Sequence, residues 1–475
     1  MSTHIFFKRI AVCILLTSMV TGCRKLAEVP APVTSINSDN IFTNDNSAAA
    51  VLTGIYTNMS SAALDGAQLT GTSFLTGLSS DEFTLYSAVT SAGLPFYYAN
   101  NLNSGNFGGS HFYNGIYPVI FLANTAIEKL PGASTLTPAV QKQLLGEAKF
   151  IRSLCYFYLV NLYGDVPLVL TTDYTVSAVQ PRTPKAQVYS QVINDLKDAQ
   201  SLLSATWLDG TLLKTTADRV RPTSWAATAL LARVYLYIGD YANAEAQATT
   251  VIGSTQFSLP TLANAFLRTS AEAIWQLQPV VAGQNTPDAI RFVLPSTGPN
   301  TTTNPLYLSS TLVNSFEATD NRKNVWVGKV TPSTTTYWFA NKYKVNTTGA
   351  AVTEFNIVLR LGEQYLIRAE ARAQQNNVNG AQADLNTVRN RAGLLNTTAA
   401  DKASLIAAIL HEKQVELFSE WGHRWLDLKR SGTVDAVMTI VTAQKGGSWN
   451  TNAQLYPIPL GELKANPNMT QNQGY

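Results

Sequence analysis

Two separated stretches of this chain carry the same helix, turn, helix pattern, and that repetition restricts its fold more than any other feature. In the first, helical periodicity over Ser224 to Ile252 is interrupted at Tyr237-Ile238-Gly239-Asp240-Tyr241-Ala242-Asn243-Ala244. In the second, which starts at Glu363, Tyr365-Leu366-Ile367-Arg368-Ala369-Glu370-Ala371 leads through Asn376 to Asn379 into Ala381-Gln382-Ala383-Asp384-Leu385-Asn386. Small residues such as Ala244 and Ala248 let a neighbouring helix approach closely, and a unit of this size buries its apolar face only by stacking on others. The copies diverge too far for a simple solenoid.

Both copies resemble tetratricopeptide units, and the surrounding text is helical too. Asn44 to Asn46 can cap a helix from Ser47 to about Met59. Tyr117 to Leu130 and Val140 to Tyr163 carry apolar residues at three- and four-residue spacing, with Gly164 placed to stop the second, and Val188 to Leu203 adds another helix. Ser404 to Lys429 reads as one helix, because Glu412, Glu416, Glu420 and Arg424 recur every four residues and would form one stripe beside Leu417, Trp421, Trp425 and Leu428. The scaffold is therefore expected mainly over 117–252 and 360–430. Two parts break the pattern. Residues 64–112 turn to Gly, Ser, Thr, Asn and aromatics and read as loops and short helices exposed to solvent. Residues 254–358 contain Pro260, Pro279, Pro287, Pro295, Pro299, Pro305 and Pro332, with little helical period. So long a loop region inside a compact domain is expected where loops carry function, so ligand contacts are expected here. Within it Ala273-Ile274-Trp275-Gln276-Leu277 alternates like a short strand, with Trp275 assigned to the core.

The amino terminus bears on compartment. Lys8 and Arg9 precede an apolar run from Ile10 to Val20, of signal-peptide length and too short to span a bilayer. The run ends in Val20-Thr21-Gly22-Cys23, which resembles a bacterial lipobox. That resemblance implies a signal peptide over 1–22, lipidation of Cys23, a tether over 23–40 containing Pro30 and Pro32, and a single domain over 41–475. Cys13 would leave with the signal, so Cys155 is the one thiol left in the mature domain. No internal disulfide can form, and stability must come from core burial. The net charge of +3 with 14 % charged residues gives no electrostatic footprint for nucleic acid.

Specific text then accumulates in order along the chain. Gly146-Glu147-Ala148-Lys149-Phe150-Ile151-Arg152-Ser153-Leu154, Tyr156-Phe157 and Leu162-Tyr163-Gly164-Asp165-Val166-Pro167-Leu168 resemble the hallmark segment of the SusD/RagB family. Tyr365 to Glu370 with Asn386, Arg389, Arg391, Ala392 and Gly393, then Glu412, Glu416-Leu417 and Gly422 to Arg430, are similar to its later signatures. Tyr456-Pro457-Ile458-Pro459, Asn466-Pro467-Asn468, Gln471-Asn472 and Gly474-Tyr475 look like its terminus, with Gln473 where a Pro is customary. The resemblance implies a mainly α fold, a tetratricopeptide-like helical repeat scaffold with an irregular loop-rich subdomain. It also implies a lipid-anchored outer-membrane protein facing the cell exterior. Such a protein binds a glycan, or in some members a peptide or other nutrient, and delivers it to a SusC-like TonB-dependent transporter; the alternative is a structural lid of that transporter without a ligand of its own.

The chemistry legible in the residues agrees with binding rather than catalysis. Glycosidases need two carboxyl groups facing each other across a bond. Asp81-Glu82 is the most visible acidic pair, and adjacent side chains diverge. His111, His411 and His423 form no His-Glu-x-x-His arrangement, no Gly-x-Ser-x-Gly elbow or phosphate-binding Gly loop is present, and no cofactor or metal is expected. Glu147, Arg152, Glu370, Arg389, Glu416, Arg424 and Asp427 lie on apolar helices and are expected to pair inside the scaffold. A sugar ring instead needs flat aromatic platforms with polar side chains beside them. Two loop clusters supply these: Phe83, Tyr86, Tyr97 and Tyr98 with Asn100, and Trp326, Tyr337 and Trp338 with Asn341.

Overall fold

The computed structural model describes residues 41–63, 71–90, 93–105 and 109–475. The leader, Cys23 and the tether lie outside the described residues.

Helices dominate. Helix α1 (Asp45–Asn58) starts where Asn44 accepts a hydrogen bond from the Ser47 amide at 2.9 Å. After α2 (Thr72–Ser79), strand β1 (Phe83–Leu85) and the short α3 (Leu94–Tyr98) come five long helices. They are α4 (Ser110–Lys129), α5 (Pro138–Tyr163), α6 (Lys185–Leu202), α7 (Ser224–Tyr237) and α8 (Tyr241–Ile252). Each packs on the next, and α8 packs on α9 (Leu361–Gln374), which packs in turn on α10 (Val378–Arg391) and α11 (Lys402–Glu416). Consecutive stacking across a long insertion is what the two repeat copies require, because α7–α8 and α9–α10 cover each other's apolar faces.

The two copies also share their turn. Gly239 stands at φ +79° in the first and Asn376 at φ +62° in the second, and Asn is among the few side chains that tolerate the left-handed region. Asp240 then caps α8 through the Asn243 amide, and Asn377 caps α10 through the Gly380 amide.

Between α8 and α9 the chain forms short antiparallel pairs. Strand β2 (Ala273–Leu277) pairs with β6 (Asn356–Arg360), both buried throughout, and the Trp275 indole N–H donates to the Val220 carbonyl at 3.0 Å. Strand β1 pairs with β3 (Leu306–Leu308), and β4 (Val327–Val330) pairs with β5 (Tyr337–Ala340), which lies beside β3. One apolar core runs through both the helices and this insertion, and a smaller one fills the space between α9, α10 and α11. Cys155 is fully buried, and burial pushes its thiol well above the ordinary range. No helix among the described residues is long and apolar enough to cross a membrane.

Two expectations are corrected. The expected helix over Ser404 to Lys429 is broken between α11 and α12 (His423–Arg430), where Ser419, Trp421 and Gly422 take φ of +54°, +47° and +75°. The Ser419 amide donates to Glu82, the Trp421 amide to Ser73 and the Trp421 indole to the Ile357 carbonyl, so bonds from distant segments replace the helical ladder. The second correction concerns the segment read as exposed loops: every residue of α2 is buried. Its hydroxyls cost little there because Thr76 donates to the Thr72 carbonyl and Ser79 to the Leu75 carbonyl.

The charged side chains of the motifs are paired. Glu147 meets Arg221, Arg152 meets Asp195, Glu370 meets Lys413 and Arg430, and Arg389 meets Glu317 and Glu412. Arg424 meets Asp81, Asp427 meets Arg430, and Glu416 accepts from Arg322, Arg360 and Arg391.

Candidate functional site

The two aromatic clusters, far apart in sequence, are brought together by the pairing of β1 with β3 and the packing of β3 beside β5. In β1 the buried Phe83 and Leu85 face inward, which leaves Thr84 and, one step past the strand, Tyr86 on the outer side. Opposite Thr84 stands Tyr307, half-buried between the inward Leu306 and Leu308. The Tyr307 ring meets Tyr337 of β5 edge to face at 5.0 Å and 76°. Tyr98, at the end of α3, completes the group: burial raises its phenol, while hydrogen bonds to the Thr84 side chain and Leu85 backbone oppose the rise. Burial also raises the Tyr307 phenol, with Tyr98 and Tyr337 near enough to add to it. Tyr86, Tyr98, Tyr307 and Tyr337 thus form one half-exposed aromatic ridge.

Tyr98 is held from one side by Lys445, whose ammonium lies 5.0 Å from the ring centroid and donates to the carbonyls of Leu78 and Ser80. Burial lowers the Lys445 ammonium to about 7, against the pull of Asp81 and Glu82. Asn100, two residues past Tyr98 and at φ +50°, donates its side-chain amide to the Thr442 hydroxyl at 3.0 Å.

Three predicted platform residues are instead interior, and these assignments are corrected. Phe83 stacks on Phe292 at 5.1 Å, Tyr97 packs edge-on against Tyr456 at 5.5 Å, and Trp326 packs against Phe266 with its indole N–H on the Leu262 carbonyl. At 1 %, 3 % and 0 % exposure, none offers a ring face to a ligand. Alternation along β5 separates the next two: Tyr337 faces β3, so Trp338 points to the opposite side. There Lys329 and Lys323 stand 5.5 and 5.9 Å from its ring centroid. Asn341, half-buried just past β5, donates its backbone amide to the Trp326 carbonyl. The residue that sequence reasoning missed is Tyr307. Its signal was present in Leu306-Tyr307-Leu308, where an apolar, aromatic, apolar alternation marks a ring on the open face of a strand.

Both members of the acidic pair are engaged by other groups. Asp81 receives the Arg424 guanidinium at 2.7 and 2.8 Å, and Glu82 receives the Ser419 amide at 3.0 Å, both away from solvent. Among the described residues no group of three or more His, Cys, Asp or Glu side chains is placed to hold a metal ion.

Fold and ridge first define a class, a helical-repeat scaffold that presents aromatic rings on short strands and loops. The model of the SusD family matches residues 171–475, and a second family model, described as starch-binding and associating with the outer membrane, matches residues 36–236. The chain belongs to the SusD/RagB family. The SusD-like protein P38 of Formosa agariphila is 26 % identical over 428 residues, 76 % of this chain and 79 % of that protein. Among solved structures, a SusD superfamily protein from Bacteroides vulgatus superposes with a TM-score of 0.76 at 21 % identity, covering 91 % of this chain and 99 % of that one. A laminarin-binding SusD-like protein superposes with a TM-score of 0.74 at 24 % identity, covering 91 % of this chain and all of the other (100 %).

Proposed function

We propose that this chain binds a neutral oligosaccharide at the cell surface through the ridge of Tyr86, Tyr98, Tyr307 and Tyr337, and passes it to a SusC-like TonB-dependent transporter. The observation that carries this reading is the convergence of half-exposed rings from four separate elements on one face. Such rings match the apolar C–H faces of sugars, and Asn100 supplies a polar partner for hydroxyls. Support also comes from the family model described as starch-binding and associating with the outer membrane, and from the superposition on a laminarin-binding protein. In this reading residues 1–22 are removed, Cys23 is acylated and holds a single domain over 41–475 at the outer membrane through the tether over 23–40, and the chain carries its cargo unaltered.

A carrier that must also release its cargo is expected to bind with Kd between about 1 mM and 1 µM, or roughly −4 to −8 kcal/mol. Isothermal titration of the mature chain with laminari- and malto-oligosaccharides tests the site. Tyr307→Ala and Tyr337→Ala should each weaken binding by about tenfold, the loss of one stacked ring. Trp338→Ala, on the opposite side of β5, should leave affinity nearly unchanged. Full affinity in both tyrosine variants would remove the ridge as the site, and binding of peptides in place of both sugars would replace the ligand class.

A further inference from the structure

A cavity of about 620 Å³ lies where the end of α5, the start of α6, the end of α7, the end of α12 and the carboxyl-terminal tail meet. Its lining includes Asp165, Arg182, Lys185, Tyr237, Lys429 and Arg430, and it reaches solvent beside the exposed Asp165 and Lys185. The positive charges are unevenly answered. Arg430 is neutralised by Glu370 and Asp427. Lys429, by contrast, donates among the described residues only to the carbonyls of Asn161 and Gln454, both neutral. Arg182 likewise spends its N–H groups on the carbonyls of Asp165, Thr470 and Tyr163 and on the Asn472 amide oxygen. Neither cation has a salt-bridging carboxylate among the described residues. The one acid in the lining, Asp165, already accepts the Lys185 backbone amide at 2.7 Å.

Helix termini repair only part of this imbalance. The carbonyl ends of α5, α7 and α12 each contribute about half a negative charge and the amide end of α6 about half a positive one, a net of about one negative charge. Three cations facing one carboxylate and these termini still leave about one positive charge unanswered. Consistent with a missing counter-ion, burial and the neighbouring Lys185 hold the Lys429 ammonium well below its ordinary range. A buried cation bonded only to neutral oxygens is costly, and an anion in the cavity would supply the charge that the protein leaves out.

We infer that this cavity is an oxyanion site, built to take a carboxylate, sulfate or phosphate group between Arg182, Lys185 and Lys429. The site is separate from the tyrosine ridge, and its existence does not depend on what the ridge binds. The volume admits either a small free anion or an acidic sugar residue, and the two sources are separable by experiment.

The mature chain is titrated with sodium sulfate, sodium phosphate and glucuronate at constant ionic strength, against chloride, by calorimetry and thermal shift. At least one oxyanion should bind and raise the melting temperature. Lys185→Gln, at an exposed position that leaves the fold intact, should weaken that affinity by about tenfold, and Lys429→Gln should weaken it at least as much. Tyr307→Ala should not change it. Preference for glucuronate assigns an acidic sugar, and preference for the inorganic ions a free anion. The inference is overturned if none of the three binds, or if Lys185→Gln binds as well as the parent chain.

Discussion

Glu82 sits in the interior behind the ridge, and its environment sets a pH dependence that one substitution can isolate. Burial pushes its carboxyl up to about 8, offset in part by the Ser419 amide and raised further by Asp81. Between an unfolded value of 4.5 and the folded value near 8, the native state holds a proton that the unfolded chain gives up. Stability from this group is therefore complete below 4.5 and is lost as pH rises toward 8, at about 1.4 kcal/mol per pH unit. Glu82→Gln keeps an oxygen for Ser419 and removes the titration. Urea denaturation of both chains at pH 5 and pH 8 should show the variant gaining on the parent at the higher pH, and a pH-independent difference would disprove the assignment. At this scale the sequence was legible where alternation was simple and opaque where two adjacent rings differ in fate. Phe96, Tyr97 and Tyr98 read alike in composition, yet the short helix turns Tyr97 toward Tyr456 and leaves Tyr98 at the surface. Only the position of Tyr456, hundreds of residues away along the chain, decides which is which.

Elements with sustained periodicity were the legible part, from α5 to the two repeat copies, because a helix that buries one face announces its 3.6-residue period locally. The break between α11 and α12 was not, since the four-residue spacing of Glu412, Glu416, Glu420 and Arg424 continues through it. What ends the helix are the bonds that Ser419 and Trp421 donate to Glu82, Ser73 and Ile357, and no local rule contains them. Helix α2 shows the same limit, as its Ser and Thr residues suggest exposure while its position demands burial. Its Gly77 gives a test. A Cβ there would lie 2.4 Å from the Phe83 ring, so Gly77→Ala must displace the first residue of β1. Overpacking of this kind costs about 1–3 kcal/mol. Because β1 positions Thr84 against Tyr307, the same variant should weaken oligosaccharide binding even where it remains folded. A melting curve and a titration on one preparation would check both. Unaltered stability would show that the helix and strand are not in firm contact.

Across the whole molecule, the helical scaffold and the loop-bearing insertion are joined by buried charge as well as by apolar packing. Glu416, at the end of α11, accepts from Arg322 at 2.9 Å and Arg360 at 2.6 Å, and from Arg391 of α10. Arg322 belongs to the insertion, Arg360 ends β6, and Lys342, also of the insertion, donates to the Glu416 and Phe418 carbonyls at 2.8 Å. Burial alone would raise the Glu416 carboxyl, yet the three guanidinium groups hold it well below the ordinary range. Its contribution to stability is accordingly present above the unfolded value near 4.5 and is lost as pH falls through the lower folded one. Glu416→Gln leaves three buried arginines short of one negative charge, and breaking such a group by removing one partner costs about 3–5 kcal/mol. Because those arginines come from both parts of the molecule, the loss should reach the ridge as well as the scaffold. The expected outcome at pH 7 is a lower urea midpoint for far-UV circular dichroism and for tyrosine and tryptophan fluorescence together, with oligosaccharide affinity falling in step. Tyr307→Ala supplies the contrast, losing affinity with its midpoint nearly kept. If Glu416→Gln instead lowered only one of the two signals, the insertion and the helices would be stabilised separately. The ridge would then owe its geometry to the insertion alone.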